Sequence, residues 1–290
     1  MTGKTLPRVL TIAGSDSSGG AGIEADLKTI TVHGCYGMTC ITALTAQNTT
    51  GVKDIFPITS MTFIENALDA VFTDVGIDAV KTGMLASAET IKTVTKSLIK
   101  FNAEKVCVDP VMISTSGSHL LPEEAISAYL TDLFPIAYII TPNLHEAQYI
   151  YKASTGKDFK VASLQDAKNL ARELKKLGPK YILLKGGHLP LTNDNTHALT
   201  EALSVKVADI LYDGTEYYIV ESNFIVTQNT HGTGCTLASS IASNLAKGFD
   251  TKRAINESID YVHGAILDDL ELGHGNGPIN HLYKTYIEKD

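Results

Sequence analysis

The chain has 290 residues, enough for one large hydrophobic core, since single α/β domains commonly reach this length. Hydrophobic residues make up 44% of it and charged residues 19%, which excludes an intrinsically disordered protein. The formal net charge of −8 argues against a nucleic-acid-binding surface. It still allows a small phosphate ligand, which needs only local positive potential.

The sequence predicts no membrane segment and no secretory signal. All apolar runs are shorter than the ~20 residues that cross a bilayer, and the stretch before Arg8 lacks an apolar signal core. The cysteines form no C-x-x-C pair and no zinc-like cluster; they are Cys35, Cys40, Cys107 and Cys235. Because scattered thiols of this kind are typical of a reducing compartment, we expect a soluble cytoplasmic protein.

The predicted elements alternate between strand and helix from the start of the chain. Arg8 to Ala13 predicts a buried strand, residues 14–22 a glycine-rich loop, and Ile23 to His33 a helix. A strand over 37–44 and a polar stretch over 45–51 follow. The later predicted helices cover 60–75, 87–101, 122–134, 144–151, 163–178 and 251–270, and the later strands cover 77–81, 105–108, 137–140 and 181–184.

Residues 209–212 and 217–220, on either side of Asp213-Gly214, predict an antiparallel hairpin. We find no fixed-period repeat and no interdomain linker, so residues 1–290 are expected to form a single domain. The pattern predicts a three-layer α/β/α domain with a mostly parallel central sheet. We expect residues 112–121 to be mobile and residues 189–200 to form a surface loop.

The loop over 14–22 fails the two common nucleotide-binding patterns. A P-loop requires Gly-x4-Gly-Lys-Ser/Thr, but Gly19 is followed by Gly20-Ala21 and the lysine is missing. A dinucleotide fingerprint requires G-x-G-x-x-G and an acidic residue ~20 positions later, and neither is present. A nicotinamide-dependent oxidoreductase is therefore disfavoured.

The segment His231-Gly232-Thr233-Gly234-Cys235 predicts an anion site, because it opens a run of good helix formers. Glycines at a helix start allow a tight turn that aims backbone N–H groups outward, and the helix dipole adds positive potential. The same field would favour the thiolate of a cysteine in the first turn. Taken alone, the segment could equally be a turn followed by a small buried cysteine.

Polar residues or glycines follow the predicted strands, where ligands bind in open α/β sheets. They are Gly14, Gln47, Gly83-Met84, Asp109, Asn143 and Lys185-Gly186-Gly187. Each one alone could be a turn or helix-cap residue, but six such positions on one rim predict a ligand site.

Seven motifs carry a specific resemblance that spans residues 8 to about 280. They are AGSDSSGGAGIEADLK (13–28), ITALTAQNTTGV (41–52), KTGML (81–85), DPVM (109–112), TPNLHEA (141–147), LKGGH (184–188) and NTHGTGCTL (229–237). As a set they resemble the hydroxymethylpyrimidine and phosphomethylpyrimidine kinases of thiamine biosynthesis, within the ribokinase-like superfamily. The resemblance implies ATP-dependent phosphorylation of the pyrimidine alcohol and then of its monophosphate.

The resemblance also implies roles for individual residues. Cys235 stands where most ribokinase-like enzymes carry a catalytic aspartate, and Gly232, Thr233 and Gly234 match the family's anion hole. Gln47 matches the residue that pairs with the aminopyrimidine. The remaining matches are Gly14, Asp26, Met84 and Val111 for the ring, Lys185, Asn143 and Glu146 for ATP, and Asp109 and Glu146 for Mg²⁺.

Two further expectations concern partners. The resemblance implies a homodimer, and in some fungi such a kinase is the first half of a longer protein with a thiaminase-like domain.

Two functional alternatives remain beside the kinase interpretation: a pyridoxal kinase of the same fold, and a non-catalytic paralogue that binds the pyrimidine. Intact Cys235, Asp109, Glu146 and Lys185 argue against the paralogue.

Overall fold

The computed structural model describes residues 6–112 and 123–286. Its core is a nine-stranded sheet in the order β3-β2-β1-β4-β5-β6-β7-β8-β9. The strands are β1 Arg8–Asp16, β2 Tyr36–Asn48, β3 Gly51–Pro57, β4 Ala79–Thr82, β5 Val106–Val108, β6 Ile139–Ile140, β7 Tyr181–Leu184, β8 Lys206–Tyr212 and β9 Tyr217–Asn223. From β2 to β7 the neighbouring strands are parallel. The predicted mostly parallel sheet is confirmed.

Helices cover both faces of this sheet. They are α1 Gly22–Val32, α2 Met61–Ala70, α3 Ala88–Lys100, α4 Ile126–Ala128, α5 Leu144–Thr155, α6 Leu164–Lys175, α7 Thr233–Ala246, α8 Thr251–Leu267 and α9 Tyr283–Tyr286. One core cluster includes residues of α2, α3, α5 and α6, and the other includes residues of α1, α7 and α8. Burial on both faces explains why the central strands are continuous apolar runs. The three-layer α/β/α prediction is confirmed.

Both ends of the sheet are antiparallel, although the sequence predicted only one of them. The predicted hairpin around Asp213-Gly214 is β8–β9. At the other end, β2 extends beyond the predicted strand into the polar stretch and reaches Asn48. It then pairs with β3 in an antiparallel arrangement that was not predicted. Most β3 side chains are at least partly exposed, so the strand lacks the hydrophobic alternation that would indicate it.

Two predicted helices begin at serine residues that the structure shows to be caps. The side chains of Ser87 and Ser163 cap α3 and α6. The expected surface loop 189–200 is partly a core element, because the side chain of Leu191 is fully buried and its backbone bridges to β8. The segment predicted to be mobile lies, apart from Met112, outside the described residues. In the described part of the chain, no helix is long and apolar enough to span a bilayer.

Candidate active site

A cavity of about 910 Å³ lies at the carboxyl ends of the parallel strands, within the size range of small-molecule sites. It is lined by all but one of the residues to which the resemblance assigns a role. These are Gly14, Gln47, Met84, Asp109, Val111, Asn143, Glu146, Lys185, Gly232, Thr233, Gly234 and Cys235. Residues that follow the strands and residues at the start of α7 thus lie around one cavity.

The start of α7 forms one wall of this cavity. Its N-cap is Gly232, whose φ of 83° lies in the left-handed region that favours glycine. A Cβ atom at this position would lie 1.8 Å from the carbonyl oxygen of Gly20, so a larger residue would displace the loop before α1. Because glycine has no side chain to cap the helix, the first N–H groups of α7 remain directed at the cavity.

Cys235 lies in the first turn of α7, where the backbone N–H of Gly22, the first residue of α1, acts to lower the pKa of its thiol. Burial nevertheless raises the pKa of Cys235 to about 11, against the opposing effect of the Lys81 charge. The expectation that the helix field would favour a thiolate is thus wrong, because burial outweighs that field and Cys235 is a neutral thiol.

Lys185 is held opposite Cys235 by two acidic residues. Its Nζ donates to Oδ1 of Asp109 at 2.9 Å and lies 4.0 Å from Oε2 of Glu146. Asp109 follows β5 and is 1% exposed, so its charge needs this partner. A Cβ added at Gly234 would lie 3.1 Å from Nζ of Lys185, which places this ammonium group directly beside the first turn of α7.

Asn143 and Glu146 begin α5 as a capping box. The Asn143 side chain accepts from the Glu146 N–H at 2.9 Å, and the Glu146 carboxylate accepts from the Asn143 N–H at 2.7 Å. Burial raises the pKa of Glu146 to about 7, Lys185 opposes this shift and Asp109 adds to it. The local role of this pair is therefore helix capping, with the carboxylate directed towards Lys185.

Asp26 is placed differently from the other predicted ring contacts. It is fully buried and is absent from the cavity lining. Its carboxylate accepts from Lys81 Nζ at 2.8 Å through both oxygens, and from the hydroxyl groups of Thr11 and Ser239 at 2.6 Å. Asp26 is thus part of an ion-pair network beneath the site, and the structure does not place it against a ring in the cavity.

Four cavity residues were not assigned from the sequence. Asp16 and His231 form a buried pair, described further below. His145 and His188 lie edge to face with ring centroids 5.0 Å apart. All four lie within motifs that were quoted for the resemblance, so the signal was present without an assigned role.

Asp209 is a further cavity residue that the sequence analysis did not assign. It lies on β8 and accepts from the Gly186 N–H at 2.7 Å, and burial raises its pKa to about 6. An acidic residue in the apolar run of Lys206–Tyr212 was the available signal.

The residues around Lys185 were tested for Mg²⁺ by their donor chemistry. Asp109 and Glu146 offer the carboxylate oxygens that Mg²⁺ prefers. Over residues 6–112 and 123–286, however, no group of three or more His, Cys, Asp or Glu could hold a metal alone. Two carboxylates fit a magnesium ion that completes its coordination with water and nucleotide phosphates, which is its usual arrangement in phosphoryl-transfer sites.

The fold and the cavity define the class of ribokinase-like kinases. The family model described as phosphomethylpyrimidine kinase matches residues 16–280. The chain belongs to this family. A curated relative, the putative hydroxymethylpyrimidine/phosphomethylpyrimidine kinase 2 of Schizosaccharomyces pombe, is 43% identical over 98% of this chain. The match covers 51% of that relative, so the chain spans about half the length of the curated relative it matches.

Two solved structures show the same architecture. Phosphomethylpyrimidine kinase from Clostridium difficile 630 is 42% identical with a TM-score of 0.73, covering 89% of this chain and 99% of that one. An ADP complex of Bacillus subtilis pyridoxal kinase is 34% identical with a TM-score of 0.82, covering 97% of this chain and 99% of that one. Identity is thus higher with the pyrimidine kinase and backbone similarity is higher with the pyridoxal kinase.

Proposed function

We propose that this chain transfers the γ-phosphoryl group of ATP to 4-amino-5-hydroxymethyl-2-methylpyrimidine, and then transfers a second one to the resulting monophosphate. The product is the pyrophosphate used in thiamine biosynthesis. The observation that supports this most is that one cavity is lined by Gln47 and also by the start of α7, Cys235 and the Lys185–Asp109 pair. One end can pair with an aminopyrimidine edge and the other can neutralise phosphates.

The expected chemistry follows from the properties of phosphoryl transfer, which depends mainly on positioning and charge stabilisation. The N–H groups at the start of α7 and the Lys185 ammonium group hold the transferring phosphoryl group. Because burial keeps Cys235 protonated, we assign it the orientation of the attacking hydroxyl, whose proton passes to an oxygen of the transferred phosphoryl group. Asp109 and Glu146 would hold Mg²⁺, which neutralises phosphate oxygens when it is bound.

The second candidate is pyridoxal kinase, which the higher TM-score to the Bacillus subtilis structure favours. Gln47 separates the two substrates, because its amide can donate and accept at once on the N–C–NH₂ edge of an aminopyrimidine. Steady-state turnover of the pyrimidine alcohol and of pyridoxal, measured side by side with ATP and Mg²⁺, tests the proposal. A higher kcat/KM for pyridoxal would reject the pyrimidine assignment.

A Gln47→Leu variant sharpens this comparison. A site built around polar pairing strongly penalises a ligand or side chain that leaves one group unmatched. We therefore expect Gln47→Leu to lose far more kcat/KM with the pyrimidine alcohol than with pyridoxal. Equal losses with the two substrates would mean that Gln47 has only a structural role.

We also propose that the chain forms a homodimer through the edge of its sheet at β3. Leu44 and Phe56 are directly paired across β2 and β3, yet they are 45% and 67% exposed. Exposed apolar side chains on an unpaired edge strand favour association with a second copy. We propose likewise that this chain belongs to a longer protein that also carries a thiaminase-like domain. The match to about half of the Schizosaccharomyces pombe relative supports this.

A further inference from the structure

His231 and Asp16 join the segment that opens α7 to the loop between β1 and α1. Nε2 of His231 lies 2.8 Å from Oδ2 of Asp16, and both side chains are buried. The Asp16 carboxylate also accepts the backbone N–H groups of Ser18, Gly20 and Ala21. These hydrogen bonds, together with His231, hold the pKa of Asp16 well below its usual range despite burial, so the carboxylate is ionised.

The contact with Asp16 fixes the proton on His231. An ionised carboxylate can only accept, so Nε2 at 2.8 Å must carry the proton that it donates. If Nε2 were unprotonated, two acceptors would face each other in a buried site, which is costly. Nε2 is therefore a donor and has no lone pair to offer a second neighbour.

That second neighbour is the amide of Gln47. The structure places Nε2 of Gln47 3.4 Å from Nε2 of His231, as part of an amide whose oxygen and nitrogen exchange on a 180° rotation. An NH₂ group in this place would direct its protons at an N–H donor. The contact is favourable only when Oε1 of Gln47 faces His231 and shares the Nε2 proton with Asp16, and the NH₂ group then faces the cavity.

The backbone of Gln47 is held independently of its side chain. The Ser17 hydroxyl donates to the Gln47 carbonyl at 2.8 Å and accepts from the Gln47 N–H at 2.9 Å. The register of β2 and β3 shifts between Ala46 and Gln47, and such a bulge redirects a side chain. Close packing leaves His231 little freedom, since a Cβ at Gly20 would lie 2.3 Å from its Cδ2.

We propose that Asp16 and His231 lock the Gln47 amide in one orientation, which makes His231 a specificity-determining positioning residue. The locked amide presents an NH₂ donor and the second lone pair of Oε1 to the ligand. It therefore selects a ring edge with an acceptor nitrogen next to an amino donor. A ring with the reverse order, an N–H next to a carbonyl oxygen, is rejected because the amide cannot rotate to match it. This inference rests on the proposed function.

The test compares the binding of two rings by calorimetry. One is 4-amino-5-hydroxymethyl-2-methylpyrimidine, and the other is its 4-oxo analogue, which reverses the donor and acceptor. The wild type should prefer the amino ring strongly, because reversal leaves two buried groups unmatched. In His231→Ala the Gln47 amide is free to rotate, so the ratio of the two dissociation constants should fall at least tenfold.

Three further variants separate positioning from structural damage. His231→Gln keeps an N–H donor for Asp16 and should restore most of the preference. His281→Ala is a matched control, because His281 is also buried and contacts Thr236 on α7, and it should leave the ratio unchanged. In a Gln47→Leu background, His231→Ala should have no further effect on the ratio, since residues that act through one another are not additive.

An unchanged ratio of the two dissociation constants in His231→Ala would overturn the inference, even if both affinities fell. A wild type that binds the amino ring without turning it over would contradict the proposed function alone. A wild type that binds neither ring would overturn both.

Discussion

At the scale of single residues, Cys235 combines a position suited to catalysis with a protonation state that limits its role. We expect Cys235→Ala to leave pyrimidine affinity largely intact and to lower kcat at least ~10²-fold, the size of loss that a misplaced reacting group can cause. Cys107→Ala, at a buried cysteine on β5, is the control for general destabilisation. Near-normal kcat in Cys235→Ala would remove this residue from the mechanism.

The pH dependence of kcat/KM separates orientation from proton abstraction by Cys235. Burial raises the pKa of its thiol to about 11, so the thiolate fraction grows with pH throughout the neutral and mildly alkaline range. Because kcat/KM follows the ionisation of the enzyme before substrate binds, a thiolate base would make it rise about tenfold per pH unit in that range. An orienting thiol predicts a kcat/KM that does not follow this slope. Measuring kcat/KM against pH in wild type and in Cys235→Ala decides between the two roles.

Lys185 should matter more for the second phosphorylation than for the first. In that step an anionic monophosphate approaches an anionic γ-phosphate, and the Lys185 charge offsets their repulsion. We expect Lys185→Met to lower the rate with the monophosphate about tenfold more than the rate with the alcohol, which corresponds to about 1.4 kcal/mol. Lys206→Met, at an ion-paired lysine on β8, is the control. If both rates fall by the same factor, Lys185 serves ATP alone.

At the scale of elements, a buried ion pair fixes the helices that carry the site. Lys81 on β4 and Asp26 on α1 are both fully buried, and Ser239 ties α7 to the same carboxylate. Lys81→Met leaves a buried carboxylate unpaired and should lower the free energy of unfolding by about 3–5 kcal/mol. Adding Asp26→Asn removes that charge, so the double variant should recover most of the loss. Urea unfolding measures both changes.

The control for this pair is Lys100→Met, which breaks the exposed Lys100–Asp69 ion pair. Exposed pairs contribute about 1 kcal/mol or less. If Lys81→Met cost no more than Lys100→Met, the buried pair would not be what holds these elements together.

The same elements show what a sequence can reveal about this site. Gln47, Asp109, Asn143 and Lys185 were predictable because parallel strands end on one edge, so position along the chain determines position in the sheet. The ion pair between Asp26 and Lys81 was not predictable, because the two residues are 55 positions apart and no local pattern links them. The neutral thiol of Cys235 was also missed, since helix-start chemistry is visible in a sequence and burial is not.

At the scale of the whole molecule, the exposed edge of the sheet should determine assembly. β3 ends the sheet on one side, and residues paired across β2 and β3 share a face, so Leu44 and Phe56 form a small apolar patch there. A second copy related by a two-fold axis would bury the same patch on both subunits. Phe56→Asp places a charge in that contact and should convert a dimer into a monomer.

Sedimentation equilibrium of the wild type and of Phe56→Asp at matched concentrations measures the oligomeric state directly. Leu199→Asp is a suitable control, because Leu199 is 83% exposed and follows a segment that bridges to β8 near the opposite end of the sheet. It should leave the mass unchanged. A wild type that sediments as a monomer, or a Phe56→Asp variant that remains dimeric, would show that the β3 edge is not the interface.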